Sequence, residues 1–300
     1  MPLEAWTSAR FTVPLPAGHR FPIEKYALLR DALLADGIVS PDHMHEPARV
    51  TREALLRVHD ELYVEQVVAG TLPPAAMRRI GFPWTPLLVE RSLRAVGGTC
   101  EAATRALDVG VAMNLAGGTH HAFAGHGEGF CVFNDVAVAI RQLQHSGRIR
   151  RAAVVDLDVH QGNGTHDIFR DDASVFTFSM HGHRNFPFHK VPGTLDIELD
   201  DGADDSAYLP RLAAALPEVL ARAMPDVVLY LAGADPHEQD RLGRLRLTFD
   251  GLARRDAMVL QACREVGIPV AIVIAGGYGR DIASTVEVHR RTAAIAREFA

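Results

Sequence analysis

Short apolar runs alternate along the chain with longer segments whose apolar residues recur every three or four positions. The short runs are typical of buried strands, and the longer segments are typical of amphipathic helices. The predicted strands cover residues 109–115, 152–157, 174–179, 226–231 and 269–275. The predicted helices cover residues 23–35, 51–69, 86–106, 134–145, 206–223, 250–266 and 282–299.

This alternation predicts an α/β fold with an open, mainly parallel sheet and helices on both faces. Right-handed crossovers bring the carboxyl ends of all parallel strands to one edge, where ligands bind in such sheets. Residues 178–205, which are rich in His, Pro, Gly and Asp, are predicted to be the least structured region. Because no internal repeat or long linker is visible, we expect a single domain over residues 1–300.

The composition of the chain limits the classes of partner and the cellular location that we expect. The 300 residues are 48% hydrophobic and 23% charged, and the formal net charge is −6. A mildly acidic chain has no general attraction for nucleic acids or anionic membranes, so we expect neither as a partner. The first thirty residues contain no apolar run typical of a secretory signal, and no stretch approaches the roughly 18–20 apolar residues of a membrane span. Three widely spaced cysteines (Cys100, Cys131, Cys263) predict reduced thiols and a cytoplasmic location, and the preference for arginine over lysine suggests a bacterial gene.

Four predicted strands lead directly into unusual polar sequences at their carboxyl ends. The parallel sheet places these four sequences in one crevice, and this coincidence is the main evidence for a functional site. They are Gly117-Gly-Thr-His120-His121, Asp156-Leu-Asp158-Val-His160-Gln-Gly-Asn163, Gly233-Ala-Asp235-Pro and Gly276-Gly-Tyr278-Gly.

The residue types in these sequences favour metal-assisted proton transfer. Asp158 and His160 are two positions apart and point the same way in an extended chain. With Asp235 they make a three-ligand set of the kind that holds a catalytic divalent metal and leaves positions open. The vicinal His120 and His121 could form a general acid/base couple, or they could be ordinary loop histidines.

Tyr278 lies between glycines and has two interpretations. It could pack at a tight turn, as tyrosines often do. In a crevice that holds a metal, its hydroxyl could instead donate a hydrogen bond to a developing oxyanion.

Taken together with Gly129-Phe130-Cys131 and the run that begins Asp240-Arg241, these motifs resemble those of zinc-dependent enzymes of the histone deacetylase superfamily. The resemblance extends over most of the chain and implies the arginase–deacetylase fold. The Gln161-Gly-Asn163 variant and the short chain are more similar to class IV and to short bacterial members than to class I.

The resemblance implies a metal centre and its ligands. Asp158, His160 and Asp235 would bind one Zn²⁺ per chain, although Fe²⁺ in the cell stays open. A structural K⁺ is also implied, near the backbone of Asp156, Asp158 and His160 and the hydroxyl of Ser179.

The resemblance also implies the catalytic groups. His121 would act as the general base, with His120 beside it, and Tyr278 would hydrogen-bond the substrate carbonyl. Asp156 would hold His120, and Asn163 would hold His121. Many family members have an aspartate where Asn163 stands, and the uncharged amide favours the imidazolium of His121 less.

A narrow channel for the acyl-lysine side chain is expected next to these groups. The residues expected to contact substrate are Gly129, Phe130, Phe186, Phe188, Gly276 and Gly277. Class I members have an acid in a rim loop that grips the substrate backbone, but residues 80–84 contain none. Phe82 and Trp84 could form an apolar rim there, or they could pack against the following helix, which is the interpretation we favour.

The expected function is therefore a zinc-dependent amidohydrolase that removes acetyl or longer acyl groups from lysine side chains of proteins or peptides. An alternative is a deacylase of acetylated polyamines or related small amines, which acidic residues at the channel mouth, such as those at 200–205, would favour. An alternative of another class is an inactive module that binds acyl groups. The sequence leaves the oligomeric state open.

Overall fold

Eight strands form one sheet in which every hydrogen-bonded pair is parallel, in the computed structural model that describes residues 2–300. Their spatial order is β2-β1-β3-β8-β7-β4-β5-β6. The strands are β1 (Glu4–Trp6), β2 (Met44–His45), β3 (Val111–Asn114), β4 (Ala152–Asp156), β5 (Val175–Gly182), β6 (Leu195–Leu199), β7 (Val227–Leu231) and β8 (Val270–Val273).

Helices cover the sheet. Every residue of β3, β4, β7 and β8 is buried, so both faces of the central sheet are shielded from water. The helices are α1 (Lys25–Ala35), α2 (Arg52–Leu55), α3 (Glu61–Ala69), α4 (Pro74–Ile80), α5 (Pro86–Val109), α6 (Asp135–His145), α7 (Asn163–Ile168), α8 (Asp205–Ala223), α9 (Phe249–Glu265) and α10 (Ile282–Phe299). The predicted α/β architecture with a parallel sheet is confirmed. No helix within residues 2–300 is both long enough and apolar enough to cross a membrane.

The five predicted strands are present, but three further strands were not predicted. Two of these, β1 and β2, have three and two residues, which is too short for a periodic signal. The third, β6, lies inside residues 178–205, which were predicted to be the least structured region but contain this strand and the end of β5. It pairs with β5 at the edge of the sheet and is only partly buried.

The helix predicted over residues 51–69 was also wrong, because it is divided into α2 and α3. Between them the ring of His59 contacts the carbonyl of Phe123 through Nδ1 at 3.0 Å and accepts the N–H of Asn134 at Nε2. The N–H of Asp60 donates to the carbonyl of Ala124 instead of continuing a helix. Long-range hydrogen bonds therefore override the local period. Burial lowers the pKa of His59 to about 4, so the ring stays neutral.

A buried cation on α9 ties the ends of two central strands together. Arg255 is fully buried and donates to the carbonyls of Gly233, after β7, and Leu157, after β4, at 2.6 and 3.3 Å. Its charge is balanced by Asp256, whose Oδ1 accepts from Nε of Arg255 at 2.9 Å and from the hydroxyl of Tyr230 at 2.5 Å. Arg255 of α9 thus holds together the segments that follow β4 and β7.

We expect Arg255→Met to lower the free energy of unfolding by about 3–5 kcal/mol, because Asp256 would remain buried without its cation. Arg254→Met is the matched control, since Arg254 lies on the same helix but is exposed; its effect should stay within about 0.5 kcal/mol. Urea denaturation measures both. Equal stability of the two variants would contradict this account of the strand ends.

Candidate active site

The polar sequences after β4 and β7 meet because these strands are neighbours in the sheet. Asp158 and His160 follow β4, and Asp235 follows β7. One ligand atom from each of these residues lies within 4.8 Å of the other two, and all three residues are buried. The structure therefore brings together the three side chains predicted to bind a metal.

The cluster has a donor set that fits a divalent cation. Nδ1 of His160 lies 2.9 Å from Oδ1 of Asp158 and 3.2 Å from Oδ2 of Asp235. This Oδ2 atom is buried and accepts no hydrogen bond from any described residue. Burial and the charge of Asp158 raise the pKa of Asp235 to about 7, so the two carboxylates repel each other and a cation would relieve the repulsion. Carboxylate and imidazole ligands are those that catalytic zinc and iron sites use.

Gly276 belongs to the support of this cluster. Its N–H donates to Oδ2 of Asp158 at 2.7 Å, and a Cβ at this position would collide with the carboxylates of both Asp158 and Asp235. At Gly277 the φ of 152° and the nearby side chain of Thr285 disfavour any larger residue. Glycine is needed here so that the backbone can approach the carboxylates.

His120 and His121 lie beside the cluster with different partners. Nδ1 of His120 is 2.6 Å from Oδ2 of Asp156, and Nδ1 of His121 is 2.7 Å from Oδ1 of Asn163. The two ring centroids are 4.1 Å apart. Each predicted pairing is therefore present as a contact.

The surroundings of the two rings move their pKa values in opposite directions. Burial favours the neutral form of both rings, but at His120 the carboxylates of Asp156 and Asp158 outweigh burial and raise the pKa to about 9. At His121 burial acts together with the charges of His120 and His160 and holds the pKa well below its usual value. At neutral pH the arrangement thus offers one neutral imidazole that can accept a proton.

Tyr278 lies at the same cavity with its phenol protonated. Burial and the nearby carboxylates of Asp235 and Asp158 hold the pKa of Tyr278 well above its usual value. Its hydroxyl forms no hydrogen bond with another described residue, so it is available to a ligand.

Three polar side chains hold the backbone around Tyr278. Asp240 accepts the N–H of Tyr278 at 2.6 Å, and Nε of Arg241 donates to its carbonyl at 3.0 Å. The buried Lys25 donates to the carbonyls of Ala275 and Gly277 at 3.2 and 3.4 Å. The motif resemblance included Asp240 and Arg241, but sequence reasoning missed Lys25, which reads as an ordinary residue at the start of a helix.

Aromatic side chains surround the cavity next to His121. Gly129 has φ of 56°, and a Cβ there would press on the ring of His121 and lie 3.2 Å from Phe186. The rings of Phe186 and His121 pack edge to face, with their centroids 4.9 Å apart, and Phe130 lines the cavity. Phe188, in contrast, is 81% exposed. Neither of the two predicted phenylalanines is among the residues that line the cavity, and only Phe186 packs beside it, against His121.

Phe82 also lines this cavity, and the centroid of its ring lies 5.4 Å from that of Phe130. Of the two interpretations of Phe82, an apolar rim and packing on the following helix, its position at the cavity supports the first. Trp84 packs on α3, and its indole N–H donates to the carbonyl of Val67 at 2.8 Å. Trp84 is thus anchored to a preceding helix, and its expected packing on the following helix stays a prediction. The cavity also reaches Leu88, Ser92 and other residues of α5.

Ser179 lies on β5 opposite Asp156 of β4 and is fully buried. Its hydroxyl is 2.9 Å from Nδ1 of His181. The predicted K⁺ near this hydroxyl stays a prediction.

Comparison with known proteins supports the family resemblance that the motifs carry. Residues 19–293 match the model of the histone deacetylase domain. An uncharacterized protein of Picosynechococcus sp. is 49% identical over 279 residues, which cover 93% of each chain. Histone deacetylase 2 of Arabidopsis thaliana is 32% identical over 282 residues, which cover 90% of this chain and 73% of that protein. Acetoin utilization protein AcuC of Bacillus subtilis is 32% identical over 259 residues, which cover 77% of this chain and 65% of that protein.

Solved structures show the same fold. The chain is similar to an HDAC homolog from Aquifex aeolicus, with a TM-score of 0.88 and 24% identity. The superposition covers all of this chain and 85% of that chain. An HDAC homolog in complex with SAHA has a TM-score of 0.88 at 25% identity, with the same coverage. The arginase–deacetylase fold that the motifs implied is confirmed. The chain belongs to the histone deacetylase family and is a hydrolase that acts on amide bonds.

Proposed function

We propose that the chain is a zinc-dependent amidohydrolase that removes acetyl or longer acyl groups from lysine side chains of proteins or peptides. One observation carries the proposal: the ligand atoms of Asp158, His160 and Asp235 lie within 4.8 Å of one another beside two hydrogen-bonded histidines. A zinc ion bound there would polarise the amide carbonyl and make water acidic enough to attack at neutral pH. Fe²⁺ is the alternative metal.

The protein's own groups then divide the proton transfers. His121 is neutral at pH 7 and would accept the proton of the attacking water at Nε2, since its Nδ1 faces Asn163. The hydroxyl of Tyr278 would donate to the carbonyl oxygen as that oxygen becomes negative. As the C–N bond breaks, a protonated imidazole would give its proton to the leaving amine, and a carboxylate and a free amine result.

A lysine side chain suits the approach to these groups. Gly129 and Phe130 line the cavity, and Phe186 packs beside it against His121, so apolar groups surround the approach and suit a methylene chain. An acyl group longer than acetyl would lie against the residues of α5 that also line the cavity, such as Leu88 and Ser92. The polyamine alternative is supported less, because acids at 200–205 have structural partners. Asp204 caps α8, and Asp205 accepts from Thr248.

An inactive acyl-binding module would be expected to lack a metal ligand or the tyrosine, and this chain has both. A cytoplasmic location is proposed on the three cysteines, all of which are buried and unpaired.

We expect Tyr278→Phe to lower kcat by about 10²–10³-fold with little change in KM, because one donor to the oxyanion is lost. Tyr26→Phe is the control, since it removes another phenol from the same cavity. Steady-state kinetics on an acetyl-lysine peptide measures both variants. A kcat of Tyr278→Phe equal to that of the control would argue against the assigned role.

Removing the metal should abolish turnover. We expect a chelator to inactivate the enzyme and Zn²⁺ to restore it, with one ion per chain by elemental analysis. Asp235→Asn should bind less metal, because it removes a ligand charge. Asp240→Asn is the control and should keep its metal, because Asp240 is a nearby acid outside the ligand set. A chelated, metal-free protein that keeps full activity would refute the proposed chemistry.

The substrate class is tested by comparing kcat/KM for acetyl-, trifluoroacetyl- and myristoyl-lysine peptides and for acetylputrescine on the zinc-loaded enzyme. We expect a lysine peptide to be the best substrate, because the apolar channel matches its side chain. A preference for acetylputrescine would instead support the small-amine alternative.

A further inference from the structure

A carboxylate outside the residues discussed so far reaches the partner of His121. Oε1 of Glu128 accepts a hydrogen bond from Nδ2 of Asn163 at 2.7 Å. The same Asn163 contacts Nδ1 of His121 through Oδ1, also at 2.7 Å. Asn163 is 3% exposed, and its side chain connects the partly exposed Glu128 to the buried His121.

The order of donors and acceptors along this series is fixed from its outer end. A carboxylate only accepts hydrogen bonds, so Glu128 requires the NH₂ of Asn163 to face it. The amide oxygen of Asn163 must then face His121. Because that oxygen also only accepts, the proton of the neutral ring must lie on Nδ1, and the lone pair must lie on Nε2.

Without Glu128 the amide of Asn163 could turn over. Its NH₂ would then donate to Nδ1 of His121, and the ring would hold its proton on Nε2. That tautomer cannot accept a proton at the atom that faces the cavity. An asparagine alone, unlike an aspartate, does not decide between these two arrangements.

Glu128 is held in place by its backbone. Its carbonyl accepts the N–H of Cys131 at 2.9 Å, which closes a tight turn. The next two residues, Gly129 and Phe130, donate their N–H groups to the carbonyls of Arg79 and Ile80 at the end of α4. The backbone that carries the carboxylate is therefore held by hydrogen bonds and is not a free surface loop.

We propose that Glu128 is a positioning residue that orients the amide of Asn163 and thereby holds His121 in the tautomer that can act as a base. This inference rests on the role of His121 in the proposed function. Glu128 does not touch the reacting atoms; it acts through Asn163.

Exchanging the two functional groups tests the proposal. Asn163→Asp alone would place two carboxylates within hydrogen-bond distance, and their repulsion would displace one of them. Glu128→Gln alone would allow either orientation of Asn163, because an amide both donates and accepts. In the double variant, which combines Glu128→Gln with Asn163→Asp, the new amide at position 128 can donate to one oxygen of the new carboxylate at position 163. The other oxygen of that carboxylate then accepts from His121, and the net charge of the pair is that of the natural protein.

We expect kcat to fall severalfold in Glu128→Gln and about 10²-fold in Asn163→Asp, which is the lower range for loss of a general base, with KM nearly unchanged. The double variant should exceed Asn163→Asp by about tenfold or more. Asp167→Ala is the control, because it removes a partly exposed acid, paired with Arg170, from the same helix as Asn163, and it should leave kcat unchanged. A double variant no better than Asn163→Asp, or Asn163→Asp with unchanged kcat, overturns the proposal.

A second readout does not depend on turnover. The side-chain ¹⁵N spectrum of the zinc-loaded protein should show His121 with its proton on Nδ1, and Glu128→Ala should shift that signal toward the Nε2–H form; His121→Gln assigns the signal. An unchanged tautomer in Glu128→Ala overturns the positioning role. If the natural protein instead shows the expected tautomer but deacylates no substrate, the proposed function fails and the orienting role stands.

Discussion

The repulsion between two buried carboxylates at the centre of the sheet is the constraint on which the site depends. Asp158 and Asp235 follow the neighbouring strands β4 and β7, so the sheet itself forces them together. Backbone N–H groups of His160, Gly276 and Val159 donate to three of their four oxygens. The remaining oxygen, Oδ2 of Asp235, has no donor and faces His160. Such an arrangement is costly unless a cation occupies it, so the sheet itself creates a site that favours a cation.

Buried cations elsewhere fix the geometry of this region. Arg255 ties the carbonyls that follow β4 and β7, and Lys25 ties the carbonyls on both sides of Gly276. Each is buried, and each donates its hydrogen bonds mainly to backbone oxygens that end a strand or a loop. The loops that carry Asp158, Asp235 and Tyr278 are thus held as one unit, as preorganised catalysis requires.

The sequence predicts the alternating strands and helices of the fold and the site residues that directly follow the strands. Central strands such as β4 have enough apolar residues for their pattern to be recognised, and the parallel-strand rule then groups Asp158 with Asp235. What it does not predict depends on contacts distant in the chain. The division of residues 51–69 results from hydrogen bonds to residues 123, 124 and 134, and Lys25 acts on a loop 250 residues away.

The pair of histidines shows why motif and structure carry different information. His120 and His121 are the same residue type at adjacent positions, yet the pKa of the first is raised and that of the second is lowered. The carboxylates of Asp156 and Asp158 outweigh burial at His120, whereas at His121 burial acts together with the charges of His120 and His160. The outer nitrogens of the two rings also face different groups, a carboxylate for His120 and an amide for His121. A carboxylate orients its histidine unaided because it can only accept. An amide needs a further neighbour to decide which of its ends faces the ring, so the function of this motif depends on a residue that the motif does not contain.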